Sequence, residues 1–248
     1  MKIVKIILFF VAQFFVLGIA NANPVVFNVD SDFDPKGLEK LSASLIAEGD
    51  NAYFFVSDVY WAGLTPYKRS VFTQNAEKLS NEFDNVIYPK LRDAFGNENN
   101  PGVDGDPKIT ILFAEFDKDV GGYFREQDGV SKARNTISNE REMVYLNAIH
   151  IDNARMKSFL AHEFQHLITY NQKNIKHGIS EDVWLNELRS EVAPTILGYD
   201  FPYTGNNLEA RVASFLEESS DSLIEWENES KDYASTNLFG QYSLDHYG

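Results

Sequence analysis

The apolar residues change their spacing partway along the chain, and this limits the folds open to it. From residue 24 to about 62 they alternate or run in short blocks, as strands do. The stretch 41–46, the polar turn Glu48-Gly49-Asp50-Asn51 and the stretch 52–56 predict a β-hairpin. Thr65-Pro66 offers a hydroxyl cap and a proline at the first helical position. The spacing of Phe72, Leu79, Phe83, Val86, Ile87 and Leu91 then predicts helix up to Gly96, in one or more pieces. Residues 97–107 are dense in Asn, Asp, Gly and Pro and read as a loop. Apolar blocks at 108–113 and 142–146 predict further strands. After about residue 154 the pattern is helical, with helices expected at 155–171, 182–197, 208–216 and 232–247. Strands first and helices afterwards is the order of an α+β domain.

The chain has 248 residues and no cysteine, so its core has to form without disulfides, and no thiolate can serve as nucleophile or metal ligand. A formal charge of −15 argues against nucleic acid as a partner, because that requires basic surface to neutralise phosphates. With 44% hydrophobic and 14% aromatic residues, the composition is that of a folded globular protein.

Residues 1–22 read as a secretory signal peptide. Lys2 and Lys5 precede an apolar run over 6–20, and Ala20-Asn21-Ala22 is a small-x-small cleavage site. The run is shorter than the ~20 apolar residues of a membrane span. The expected product is a protein exported to the periplasm or medium, without stable membrane insertion. Its organisation is a strand-rich segment over 23–62 followed by a catalytic-type domain over 63–248.

His162-Glu163-Phe164-Gln165-His166 is an H-E-x-x-H motif. On a helix, positions i and i+4 share a face, so both imidazoles can address one metal ion, for which zinc suits neutral histidine. Glu163 projects beside that ion, where its carboxylate can act as a general base on zinc-activated water. A third protein ligand is needed, and Trp184-Leu185-Asn186-Glu187 supplies Glu187 after a polar loop that lets a second helix return. Glu191 lies at i+4 from Glu187, on the same face, where it suits orienting a zinc-bound histidine.

H-E-x-x-H followed by N-E-x-x-S-[DE] resembles the gluzincin zinc metallopeptidases, the group with the thermolysin-type motif. The wider context, 161–168 with 184–187, looks most like the hyicolysin-like secreted bacterial peptidases. So do 104–111, Gly121-Gly122-Tyr123-Phe124 and Ser138-Asn139, and the likeness spans about residues 85–248. The resemblance implies a zincin-like fold, Zn2+ held by His162, His166 and Glu187, Glu163 as catalytic base, and protein or peptide substrates. One departure is that relatives usually carry glycine directly after the ligand glutamate, where this chain has Leu188-Arg189.

Gluzincin aminopeptidases place a transition-state tyrosine at the start of a helix that ends in glycine fifteen residues later. Tyr233 and Gly248 have that separation, which makes Tyr233 the candidate for holding the oxyanion. His246 is a second candidate, while His150 and His177 lack partner spacing. Asp104, Asp106, Asp117 and Asp119 do not fit a calcium ligand ladder, and turn chemistry accounts for Asp-Gly-Asp-Pro. The strand at 142–146, or the one before it, is expected to be the sheet edge that pairs with extended substrate. The first reading is thus an exported zinc metalloendopeptidase. The alternative is a non-catalytic zinc-containing secreted binding protein, a degenerate or truncated relative, since such relatives continue beyond the tyrosine-rich helix.

Overall fold

The computed structural model describes residues 24–117 and 119–247, so the signal-peptide segment lies outside the described residues. Six strands form one sheet: β1 (Val25–Asn28), β2 (Lys40–Glu48), β3 (Ala52–Ser57), β4 (Ile109–Ala114), β5 (Gly122–Phe124) and β6 (Met143–Asn147), in the order β1-β2-β3-β4-β6-β5. β2 and β3 are the expected hairpin. β3, β4 and β6 run parallel to one another, and β1, β2 and β5 complete the sheet with antiparallel pairings.

β4 and β6 are buried along their whole length. That is why they appear in the sequence as continuous apolar runs rather than alternating ones. Ile109, Ile111, Phe113, Val144 and Leu146 face the helices. Leu112, Ala114, Met143 and Tyr145 face a second apolar layer built with Phe27, Leu41 and Phe55.

The helices are α1 (Asp58–Gly63), α2 (Pro66–Glu82), α3 (Tyr88–Phe95), α4 (Met156–Thr169), α5 (Val183–Ile196), α6 (Asn207–Glu217) and α7 (Ser230–Tyr247). Thr65 caps α2 by accepting from the Lys68 N–H at 3.3 Å, with Pro66 in the first turn. A π-helical turn at Phe83–Ile87 divides α2 from α3, so the 65–96 stretch is helical in pieces. Helix α4 is pinned to the others by Phe164, whose ring lies 5.1 Å from that of Phe83 and 5.6 Å from that of Tyr88.

The sheet edge differs from the expectation. β6 is hydrogen-bonded on both sides, by β4 and β5, and β4 is also interior. The edge beside α4 is β5, whose Gly122, Tyr123 and Phe124 pair with Leu146, Tyr145 and Val144. Three residues beginning with glycine carry no strand periodicity, so the pattern conceals the element that closes this side.

Candidate metal centre

Helix α4 is buried over most of its circumference between the sheet and α5, with His162 and His166 one turn apart on the face toward α5. Their Nε2 atoms stand 3.1 Å apart. Glu187, in the second turn of α5, places Oε2 3.2 Å from His162 Nε2 and Oε1 3.5 Å from His166 Nε2. These three residues form a group of metal-binding type among the described residues.

The geometry suits a tetrahedral ion. Donors about 2.0–2.1 Å from one zinc stand about 3.3–3.4 Å from each other, against 3.1, 3.2 and 3.5 Å here. Glu187 Oε2 is moreover buried without a well-formed hydrogen bond, although His162 Nε2 is near. The two nitrogens and the carboxylate oxygens converge on a common point.

The far nitrogens of both rings face acceptors. His166 Nδ1 lies 3.2 Å from Asn186 Oδ1 and 3.1 Å from Ser190 Oγ. The Ser190 hydroxyl donates to Gln165 Oε1 at 2.6 Å, and Gln165 in turn donates to Thr169 Oγ1. With its proton committed, Ser190 can only accept from His166. His162 Nδ1 lies 3.4 Å from Glu191 Oε1. Both rings thus have an acceptor behind Nδ1 and turn Nε2 inward, the arrangement in which a bound ion would take the two Nε2 lone pairs.

Charge balance in the group follows from burial and neighbours. Burial works against a charged His162, yet the adjacent Glu187 carboxylate, with the charges of Glu163 and Glu191, outweighs it, and its pKa rises to about 9. Burial also works against ionised Glu187, but the two histidines hold it below the ordinary carboxylate range. Glu163 is 6% exposed, and its pKa is pushed up by burial, with Glu187 and Glu191 adding to the shift. Its Cγ packs against β5 at Gly122, where no Cβ intervenes.

Tyr233 lies in the first turn of α7. Its ring is 4.9 Å from that of Trp226 and 4.8 Å from the Arg211 guanidinium, and its hydroxyl donates to Asn228 Oδ1 at 2.9 Å. Burial raises its pKa, and Glu187, Glu163 and Glu191 raise it further. The tyrosine is thus electrostatically coupled to the site, while its hydroxyl is engaged elsewhere. His246 is exposed in the last turn of α7, with Nδ1 2.9 Å from the Tyr242 carbonyl oxygen, and takes no part in the group. His150 packs its ring near Phe159, and His177 is exposed. Leu188 turns toward Gly240 of α7, and Arg189 pairs with Glu181. Asp104 and Asp106 accept main-chain N–H groups two residues on, as turn residues do.

Asn186 and Ser190 belong to the second motif, but spacing alone assigns them no task. Asn207, Arg211 and Asn237, which gather on Glu191, have no local signal at all.

Fold and site together define a mixed α+β protein, a sheet with helices packed on it, carrying a partly buried His/His/Glu group suited to a metal ion. No protein-family model matches the chain. It is 28% identical over 228 residues to the neutral metalloprotease ShpI of Staphylococcus hyicus, an alignment that takes in 82% of this chain and 47% of that protein. The chain spans about half the length of that relative. The similarity supports a relationship to metalloproteases.

Proposed function

We propose that this chain is an exported zinc metalloendopeptidase of the gluzincin type, with His162, His166 and Glu187 as ligands and Glu163 as general base. The observation that carries the reading is the convergence of those three side chains on one point, with Glu163 beside them. The similarity to a neutral metalloprotease favours peptide bonds as the substrate.

Bound zinc would lower the pKa of a water molecule and polarise the scissile carbonyl. Glu163, whose burial raises its proton affinity, accepts the proton and passes it to the leaving amine. The free side of β5 offers main-chain groups that can hold extended substrate alongside the base. Glu191, Asn186 and Ser190 keep the two imidazoles facing inward. Tyr233 would serve the oxyanion by releasing Asn228. Export agrees with the absence, among the described residues, of a helix long and apolar enough to cross a membrane.

The test is zinc content together with casein cleavage by the purified chain. One tightly held zinc and cleavage that chelation abolishes is the expected result. Full activity in excess chelator would overturn it, and bound zinc without cleavage would favour the binding-protein alternative.

A further inference from the structure

Glu191 is 1% exposed and lies directly behind His162. Its carboxylate is held from three sides. Arg211, in α6, donates from Nη2 to Oε1 at 2.6 Å and from Nε to Oε2 at 2.8 Å, a two-pronged grip. Asn237 of α7 donates to Oε2 at 3.1 Å and also to the Glu191 main-chain carbonyl at 3.1 Å. Asn207, at the start of α6, donates to Oε2 at 3.3 Å. The position left on Oε1 faces His162 Nδ1.

A carboxylate buried this deeply and stripped of its partners would turn away to find others. Once rotated, it no longer faces His162 Nδ1. The ring would then be free to rotate and turn its Nε2 away from the site. Arg211 prevents this by fixing the carboxylate in its two-pronged grip, and the asparagines fill the remaining acceptor capacity.

We infer that Arg211, assisted by Asn237 and Asn207, is a positioning residue that sets the metal affinity of the site by holding Glu191 against His162. The inference rests on the reading of His162, His166 and Glu187 as metal ligands. It makes the α6–α7 pair part of the metal site, although it supplies no ligand. The competing account is a buried ion pair that merely joins α5 to α6.

Coupling separates the two accounts. Zinc dissociation constants are measured by chelator competition at fixed pH and ionic strength for the full chain and for Arg211→Met, Arg211→Lys, Glu191→Ala and the double variant Glu191→Ala/Arg211→Met, with circular dichroism as the check on folding. Arg211→Met is expected to weaken zinc about 10–100-fold, as loss of a ligand-orienting partner does. Arg211→Lys should recover part of this, because an ammonium keeps the charge but not the two-pronged grip. In the Glu191→Ala background, losing Arg211 should cost nothing more, since its effect passes through Glu191. A joint of purely structural value would leave the affinity of Arg211→Met within twofold of the parent, or give additive losses in the double variant, and either result overturns the inference. If Arg211→Met does not fold, Arg211→Lys and Asn237→Ala carry the test, and unchanged affinity in both overturns it. A parent chain that takes up no zinc removes the metal reading itself, whereas a zinc-binding parent matched by its variants removes only the role of Arg211.

Discussion

Gly122 is the residue through which the sheet edge meets the proposed base, and Gly122→Ala is the substitution that tests this contact. An alanine Cβ there would lie 2.6 Å from the Tyr145 carbonyl oxygen, 3.0 Å from Glu163 Cγ and 3.1 Å from Leu146 Cδ2. Ordinary contact begins at 3.4 Å, so the first approach is short by about 0.8 Å. The oxygen belongs to the main chain of β6 and cannot swing aside as a side chain can. Either β5 shifts outward or Glu163 is displaced with it. Overpacking of this kind costs about 1–3 kcal/mol, which lowers the melting temperature by roughly 2–4 °C per kcal/mol in a domain of this size. Displacing a catalytic group by about 1 Å costs about 100-fold in rate. The expected result is kcat lower by roughly 10–100-fold on a peptide substrate with zinc stoichiometry unchanged, because Gly122 crowds none of the three ligands. Single-turnover hydrolysis, metal analysis and a thermal melt on the same preparation supply the three readings. A variant with the parent's kcat and melting temperature would refute the claim that β5 fixes Glu163.

Three further outcomes follow from the site and its surroundings. Glu163→Ala should keep zinc and lose hydrolysis, whereas His166→Ala should lose both, since two remaining ligands hold zinc poorly; metal content beside casein cleavage checks the pair. Tyr233→Phe should lower kcat and leave KM nearly unchanged if the hydroxyl serves only the transition state, while unchanged kcat returns this ring to its packing between Trp226 and Arg211. Burial raises the pKa of Glu142, against the lowering effect of its hydrogen bonds from Asn99 and Val103. The native state therefore binds this proton more tightly than the unfolded chain, and the Glu142 contribution to stability falls as pH rises above the unfolded value of about 4.3. Relative to the parent, Glu142→Gln should gain stability between pH 4 and pH 7 in urea titrations of the metal-free protein, and the opposite trend would refute this.

What was legible in the sequence was local. His162 and His166 are fixed relative to each other by one turn of helix, and Glu187 and Glu191 by another, so spacing alone brings each pair onto one face. The hairpin and the buried strands β4 and β6 were readable because period and apolar runs report burial directly. What stayed hidden depends on contacts distant in sequence. Arg211 and Asn237 reach Glu191 across separations of 20 and 46 residues. Asn237 reaches it where α7 approaches α5 closely, with Gly240 facing Val192, and Arg211 reaches it from α6. The edge strand escaped notice for another reason: its glycine is required by the closeness of α4 and β6, and glycine erases the alternation that marks a strand.

The position of β3 inside the sheet has a consequence for processing. Many exported hydrolases are held inactive by an N-terminal stretch that a second protease removes, and residues 24–62 would be the natural place to look for one here. Yet β3 pairs with β4 along five registers, Ala52 with Ile109 through Val56 with Phe113. Phe54 and Val56 lie in the same apolar core as Phe164, the residue that anchors α4. Excising this stretch would leave β4 with a bare hydrogen-bonding edge, a template for aggregation, and would strip the support beneath the helix that carries both histidines. If the chain is the peptidase proposed above, an activating cut that yields a working enzyme must therefore spare β3. On that reading, sequencing the N-terminus of the active form should find it upstream of Ala52.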